Sequence, residues 1–388
     1  MNYKLIPRFN IDYNFRDFIT NLFPGNKLIK KNDLSKIFGT RDFYFTNNGR
    51  SSLYIILKSL DIPKGSKIGV PLYSCPVVFD AIIKAGFVPE FIDIDLENYT
   101  IDPLDLTKKI GELKAVIVIH TFGRPADMDI IKNIAGEIPI IEDCAHSLFS
   151  FYKGKMTGTL GNASFFSFKK YPSAGEGGMI ILNDIKLIDR LEKIVRQLPE
   201  VSKINNVKHA FVTYAHSFLY HRPWYGTIAF PIGNRILNKK EIILDFNVSI
   251  VRGGDLKIFM RKIGSLGKKI EIQTNYSRIL IEELWNTSII LPDEVEGTRC
   301  NYYLFPIRFQ NEQLRDCMHI NLRKFGIDSA KLYAETPQLS KRIYRYNGTC
   351  SNAETLSKTV LVIPNYYTLK EIEIMKIANI LKMLDINR

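Results

Sequence analysis

The sequence predicts an α/β fold: a large domain with a mostly parallel sheet between helices, then a smaller C-terminal α+β domain. Three observations lead there. From about residue 40 to 185, short β-branched runs alternate with helix-length segments, the spacing of strand–helix–strand crossovers. Runs such as "AVIVIH" at Ala115–His120 and "IPII" at Ile138–Ile141 are almost continuously apolar, as strands covered on both faces are. The chain has 388 residues, 46% hydrophobic and 24% charged. That is enough for two packed domains and excludes a disordered, collagen-like or low-complexity chain.

In chain order, the predicted strands are Ser66–Val70, Val88–Ile94, Ala115–His120, Ile138–Ile141, Ala163–Phe168 and Met179–Leu182. Helices are predicted over Ser51–Leu60, Val77–Ala85, Pro103–Ile110 and Met128–Gly136, then over Lys186–Gln197. Tyr214–Pro231 is dense in aromatic and basic residues and shows no clear period. Helical texture returns from Phe246 to Asn286. A strand-like "YYLFPIRF" begins at Tyr302, and helices are expected over Gln313–Phe325 and Leu369–Leu384. The boundary falls near residue 250, giving a large domain 1–250 and a small domain 251–388. No internal repeat is visible.

Lys and Arg number 53 against 40 Asp and Glu, a formal charge of +13. From Lys186 to Arg278 there are 17 basic and 7 acidic residues. This favours anionic partners, but no nucleic-acid motif accompanies it, so nucleic acid is not expected as a partner. The five cysteines (75, 144, 300, 317 and 350) form no CxxC pair, and no histidine spacing completes a metal site. Reduced thiols and a cytoplasmic protein without a bound metal are expected. The first residues, broken by charges, contain no apolar core of a secretory leader. Ser217–Leu237 is interrupted by His221, Arg222, Pro223, Pro231 and Arg235, which makes it a poor transmembrane helix.

Three segments carry chemistry. Asn48-Gly49-Arg50-Ser51-Ser52 runs straight into a helix, whose free N–H groups and dipole make an anion site. The same residues also read as a plain N-cap by Ser51 or Ser52. "IPIIEDCAHS" ends a buried strand at Glu142-Asp143 with His146 just beyond. An Asp there can keep a ring nitrogen protonated, or simply cap the next helix. "FSFKKYPSAGEGG" places Ser167 at a strand end, followed by Lys169-Lys170 and a glycine turn. A pocketed lysine can form a Schiff base with a carbonyl, whereas two loop lysines can also be merely solvated. In this order and spacing the segments suggest a pyridoxal 5′-phosphate (PLP) site: a phosphate cradle, an Asp for the pyridinium and a Lys for the aldehyde.

The chain resembles the DegT-like sugar aminotransferases, fold-type I PLP enzymes acting on nucleotide-linked keto-sugars. The resemblance runs from about residue 40 to 385 and rests on "NNGRSSL", "HTFGRPADM", "EDCAHS", "FSFKKYPSAGEGGMI", "DFNVS", "YYLFPIRF" and "GIDSAKLY". It implies that Lys170 holds the cofactor aldehyde and Asp143 the pyridine nitrogen. It places the cofactor phosphate on the backbone at Gly49, Arg50 and Ser51 with the Ser167 hydroxyl, and His146 near the ring oxygen. Asn247 matches an Asn that in relatives reaches the neighbouring subunit's phosphate, which implies a homodimer with shared active sites. The implied activity is ping-pong transamination from an amino acid, glutamate above all, to a nucleotide-sugar.

Some residues depart from the family pattern. Lys170 lies three residues after Ser167 where many relatives have five, but counting back six from Glu176 favours Lys170 over Lys169. Ser74-Cys75 stands where relatives often place an aromatic over the ring, so Cys75 and its neighbours must pack there. Arg50 replaces a small residue, and "NVSIVRGGD" lacks the Arg-Met that often follows the Asn. A sugar dehydratase of the same family would carry His in place of Lys170. A silent binding protein on the same fold would be free to lose Asp143, Ser167 or Lys170. Tyr214–Pro231 fits a pocket wall or dimer contact, or a peripheral membrane contact.

Overall fold

The computed structural model describes residues 4–25, 31–40, 42–237 and 246–386. At its centre is a seven-stranded sheet in the spatial order Phe43–Thr46, Gly178–Leu182, Ala163–Ser167, Ile140–Asp143, Leu113–Ile119, Lys67–Pro71 and Val88–Ile92. The last five strands of that order run parallel, while Gly178–Leu182 pairs antiparallel with both its neighbours. All six predicted strands are present within a few residues. The edge strand Phe43–Thr46 was not foreseen, because "FYFT" is too short to show a period.

Helices cover both faces of the sheet. Gly49–Ser59 is wedged between the sheet and Pro76–Ala85, and its only charges are Arg50 near its start and Lys58 near its end. Residues such as Leu53, Ile56 and Leu57 are therefore fully buried. Full burial of such side chains is worth roughly 1.5–3 kcal/mol each before conformational entropy is charged against it. The helices predicted over 103–110, 128–136, 186–197, 313–325 and 369–384 are all observed with shifted ends.

The helical texture after Phe246 resolves into one long helix, Gly253–Leu284. Its first half packs Leu256, Phe259 and Ile263 into the core below the sheet. Its last turns put Leu280 and Leu284 into a separate core with the two-stranded sheet Phe305–Arg308 and Val360–Ile363. Ile6 joins that second core and bridges Ile327, so the first residues lie with the C-terminal part rather than with the rest of 1–250. The stretch without a clear period is also ordered. Lys203–Leu219 is an α-helix and Tyr225–Ala229 a π-helical turn. Half-exposed aromatics on several sides of that helix blur the pattern that one buried face would print.

Candidate active site

The parallel strands end on one side of the sheet, and a cavity of about 620 Å³ opens there. Crevices beyond the carboxyl ends of strands are where ligands of open α/β sheets bind. Ser74 and Cys75, Ile119, Asp143 and Ser167 are the strand-end contributions. Gly49, Arg50, His146, Lys169 and Lys170 line the same cavity. Most of the residues singled out in the sequence thus meet, though up to 121 positions separate them.

The helix start is capped differently from either serine reading. Asn48 is the N-cap, and its Oδ1 accepts the Ser51 N–H at 2.9 Å. Ser51 is fully buried, with its hydroxyl 3.5 Å from the Asn247 carbonyl. Gly49 and Arg50 remain at the first turn, where N–H groups have no intrahelical partner. A Cβ on Gly49 would sit in ordinary contact, 3.4 Å from the Ser167 Cβ, so the helix start packs directly on the strand end. The Arg50 guanidinium turns to Asp80 at 3.5 Å and lies 4.1 Å from the centre of the Phe246 ring. Asn247 is exposed and is not part of the cavity wall; its carbonyl accepts from the Asn47 side chain at 2.9 Å.

Glu142 and Asp143, adjacent on one strand, have opposite fates. Glu142 accepts from the Gly158, Leu160 and Gly161 N–H groups at 2.6–2.8 Å and from His120 Nε2 at 2.9 Å. Because His120 Nδ1 accepts the Ala126 N–H at 3.1 Å, Nε2 carries the ring proton. Burial opposes ionisation of Glu142, yet the His120 bond and the backbone N–H groups hold its pKa below the usual value. Cys144 lies beside this pair, but both Glu142 oxygens and both His120 nitrogens are already engaged, so the trio is a structural clamp.

Among the described residues, the Asp143 carboxylate accepts only the Ala145 N–H, at 2.9 Å, and it lines the cavity. Burial pushes its pKa up to about 6, against the pull of Ala145 N–H and the Lys170 charge. His146 is buried, stacked on Tyr303 with ring centres 5.0 Å apart, and its Nδ1 has no hydrogen-bond partner among the described residues. Burial, then the Lys170 charge, holds His146 well below its ordinary pKa. The charge of Lys170 is thus felt at Asp143, His146 and Cys75. Lys169 is exposed and its charge acts on His216.

These groups suit PLP. A carboxyl driven up by burial is stabilised by a protonated ring nitrogen, and His146, a cavity-lining residue, keeps a buried ring nitrogen without a partner among the described residues. Gly175, at φ +97°, allows the glycine turn to pass under Asp255, whose Oδ1 lies 2.1 Å from where a Cβ would be.

Sequence reasoning missed two groups. Tyr303 and Tyr333 close the cavity where an aromatic partner was lacking at Cys75. Tyr333 has φ +57° and faces Cys75 and Asp143; burial raises its phenol pKa well above the ordinary value. Both tyrosines lie in quoted motifs, but nothing local marks them as cavity residues. His209, Thr213, His216 and Tyr220 supply another wall from the unassigned helix. The pocket reading of Tyr214–Pro231 therefore holds for His216 and Tyr220. His209 is itself held by the buried Asp255 at 3.0 Å.

Residues 31–216 match the DegT/DnrJ/EryC1/StrS aminotransferase family. Over 149 residues the chain is 38% identical to a GDP-perosamine synthase of Escherichia coli O157:H7, spanning 37% of this chain but only 41% of that protein. A UDP-N-acetyl-3-dehydro-alpha-D-glucosamine 3-aminotransferase of Acidithiobacillus ferrooxidans is 25% identical over 343 residues, 86% of this chain and 82% of its own. Among solved structures, the PLP form of Spr1654 from Streptococcus pneumoniae superposes with a TM-score of 0.76 at 17% identity, covering 99% of this chain and 98% of that one. That likeness establishes the fold. Over residues 31–216, just under half of the chain, the sequence is similar to the DegT/DnrJ/EryC1/StrS aminotransferase family, and over nearly its whole length the chain shares the fold of solved sugar aminotransferases.

Proposed function

We propose that this chain is a PLP-dependent aminotransferase that moves an amino group from an amino acid, glutamate first among candidates, to a keto carbon of a nucleotide-linked sugar. One observation carries this: Asp143, His146, Ser167, Lys170 and the Gly49 helix start surround one cavity at the strand ends. The names of the two relatives, each a nucleotide-linked sugar, support the substrate class.

In this reading Gly49 and Arg50 N–H groups and the Ser167 hydroxyl hold the cofactor phosphate. Asp143 binds the ring nitrogen, and His146 Nδ1 takes the ring oxygen's side. Bound PLP supplies an electron sink for the carbon that loses its proton. Lys170 Nζ would take that proton from the donor's α-carbon and deliver it to the cofactor's C4′ within the same half-reaction, and would run the transfer in reverse for the keto-sugar. Tyr303 and Tyr333 exclude water around it. Lysine rather than histidine at 170 disfavours the dehydratase, and the intact set disfavours a silent binding protein. The working unit is a homodimer in which the exposed Asn247 reaches the partner's site, and the division into 1–250 and 251–388, the first residues around Ile6 excepted, belongs to the same reading.

The test is a visible absorbance scan of the purified protein with PLP, before and after L-glutamate, alongside Lys170→Ala. A band that bleaches with glutamate and is missing in the variant is expected. A band untouched by any amino donor would keep the cofactor but discard transamination, and no band in the wild type would discard both.

A further inference from the structure

The helix Lys203–Leu219 has a side that neither the core nor the cavity uses. Ala210 and Ser217 are buried, with the Ser217 hydroxyl donating to the Tyr13 carbonyl at 2.6 Å. His209, Thr213 and His216 face the cavity. A third side carries Ile204, Val207, Phe211 and Phe218, which are 82%, 46%, 56% and 48% exposed. Their spacing is that of an apolar stripe, which ordinarily faces a core. The row extends at both ends. Phe15, 60% exposed, lies 6.0 Å from the Tyr214 ring, and Trp224 lies 5.7 Å from Phe218. Single exposed apolar residues are ordinary, but a connected row of six marks a contact surface.

Charge selects the partner. From Val201 to Lys240 there is no Asp or Glu. Arg16, Lys203 and Lys208 are exposed on the elements that carry the row. Asp17, the acid of the helix Phe15–Leu22, is buried and paired with Arg261 and Lys262. A two-fold related copy would set the same patch against itself. Lysines would then meet across the axis with no acid in the patch to pair them. An anionic bilayer satisfies both features, taking aromatic and aliphatic side chains into its interface and basic groups at its surface. No described helix is long and apolar enough to cross a membrane, so such a contact is peripheral.

We infer that the face formed by Phe15, Trp224 and the Ile204–Phe218 stripe docks on an anionic lipid surface. His209 and His216 lie on the same helix, so docking sets that wall of the cavity beside the bilayer.

The PLP-loaded protein is sedimented with phosphatidylcholine vesicles and with vesicles containing equal parts of phosphatidylglycerol. The wild type is expected to pellet with the anionic vesicles alone and to be released by salt. Phe211→Glu with Phe218→Glu, and separately Lys203→Glu with Lys208→Glu, should each lower the partition by about tenfold or more. All four side chains are exposed, and circular dichroism checks that the fold is kept. Wild type left in the supernatant with anionic vesicles at low salt overturns the inference. So does equal partition to both vesicle types, or an oligomer in sedimentation velocity that the phenylalanine variant dissociates. None of the changed residues lines the cavity, so the absorbance test with Lys170→Ala stands or falls independently.

Discussion

Behind the cavity floor, on the strand that carries Asp143, Glu142 accepts three backbone N–H groups and the His120 proton, and hardly a polar atom is left to solvent. On another side, the helix Lys203–Leu219 buries only Ala210 and Ser217 and leaves a row of apolar side chains outside. The floor is held by strand ends whose backbone is already committed to the sheet, so side chains there have one position. The wall is a single helix anchored along one edge. Chemistry that demands fixed atoms belongs on the first, and recognition that tolerates adjustment belongs on the second.

Four measurements can break or sharpen that contrast. The largest effect is expected on the floor, at Lys170. Lys170→Ala should lower kcat by on the order of 10⁴-fold, whereas Lys169→Ala should stay within about tenfold. Comparable losses in the two variants would mean that the half-buried position of Lys170 is irrelevant.

Next comes Glu142→Ala, which strands three N–H groups and His120. A loss of roughly 3–5 kcal/mol in urea denaturation is expected, since several buried hydrogen-bond donors are left unsatisfied at once. A loss below about 1 kcal/mol would show that the Glu142 bonds do not hold this part of the fold together.

Third is the pH dependence of Asp143 in the cofactor-free protein. Its folded pKa, about 6, lies above the ordinary 3.8. The stability it contributes is therefore present below about pH 4 and is lost as pH rises through 6. Asp143→Asn removes that penalty and should gain up to about 3 kcal/mol over the wild type by pH 8, with little difference at pH 3. Added PLP should shrink the gap, since a protonated ring nitrogen compensates the carboxylate. A gap that is flat with pH would refute the burial account.

The smallest effect belongs to the wall. His216→Gln should raise KM for the sugar substrate by roughly two- to tenfold, the worth of one hydrogen bond, and leave kcat unchanged. A large fall in kcat would place the wall in the chemistry and erase the contrast.

Much of the floor is written locally. "IPIIEDCAHS" and "FSFKKYPSAGEGG" each hold a strand, its end and the residues just beyond, so Asp143, His146 and Ser167 stand out from their segments, whereas Lys170 is chosen over Lys169 only by the family spacing to Glu176. The helix start was read to the right turn but not to the right cap. Asn48 and Ser51 are both good capping residues, and the extended backbone of Asn48, φ −169°, decides between them. Tyr333 shows the limit. It sits 190 residues from Asp143, at a positive φ, and reaches the cavity only because the C-terminal part folds back over the strand ends.

Period and composition determine the α/β alternation, the strand order along the chain and the residue types at the strand ends, because each is encoded within about ten neighbouring residues. Which carboxylate is clamped and which is free, which lysine is half-buried, and which face of Lys203–Leu219 stays outside were decided by tertiary structure. Glu142 and Asp143 are adjacent and chemically alike. They differ because successive side chains of a strand point to opposite faces, and only packing says what each face meets.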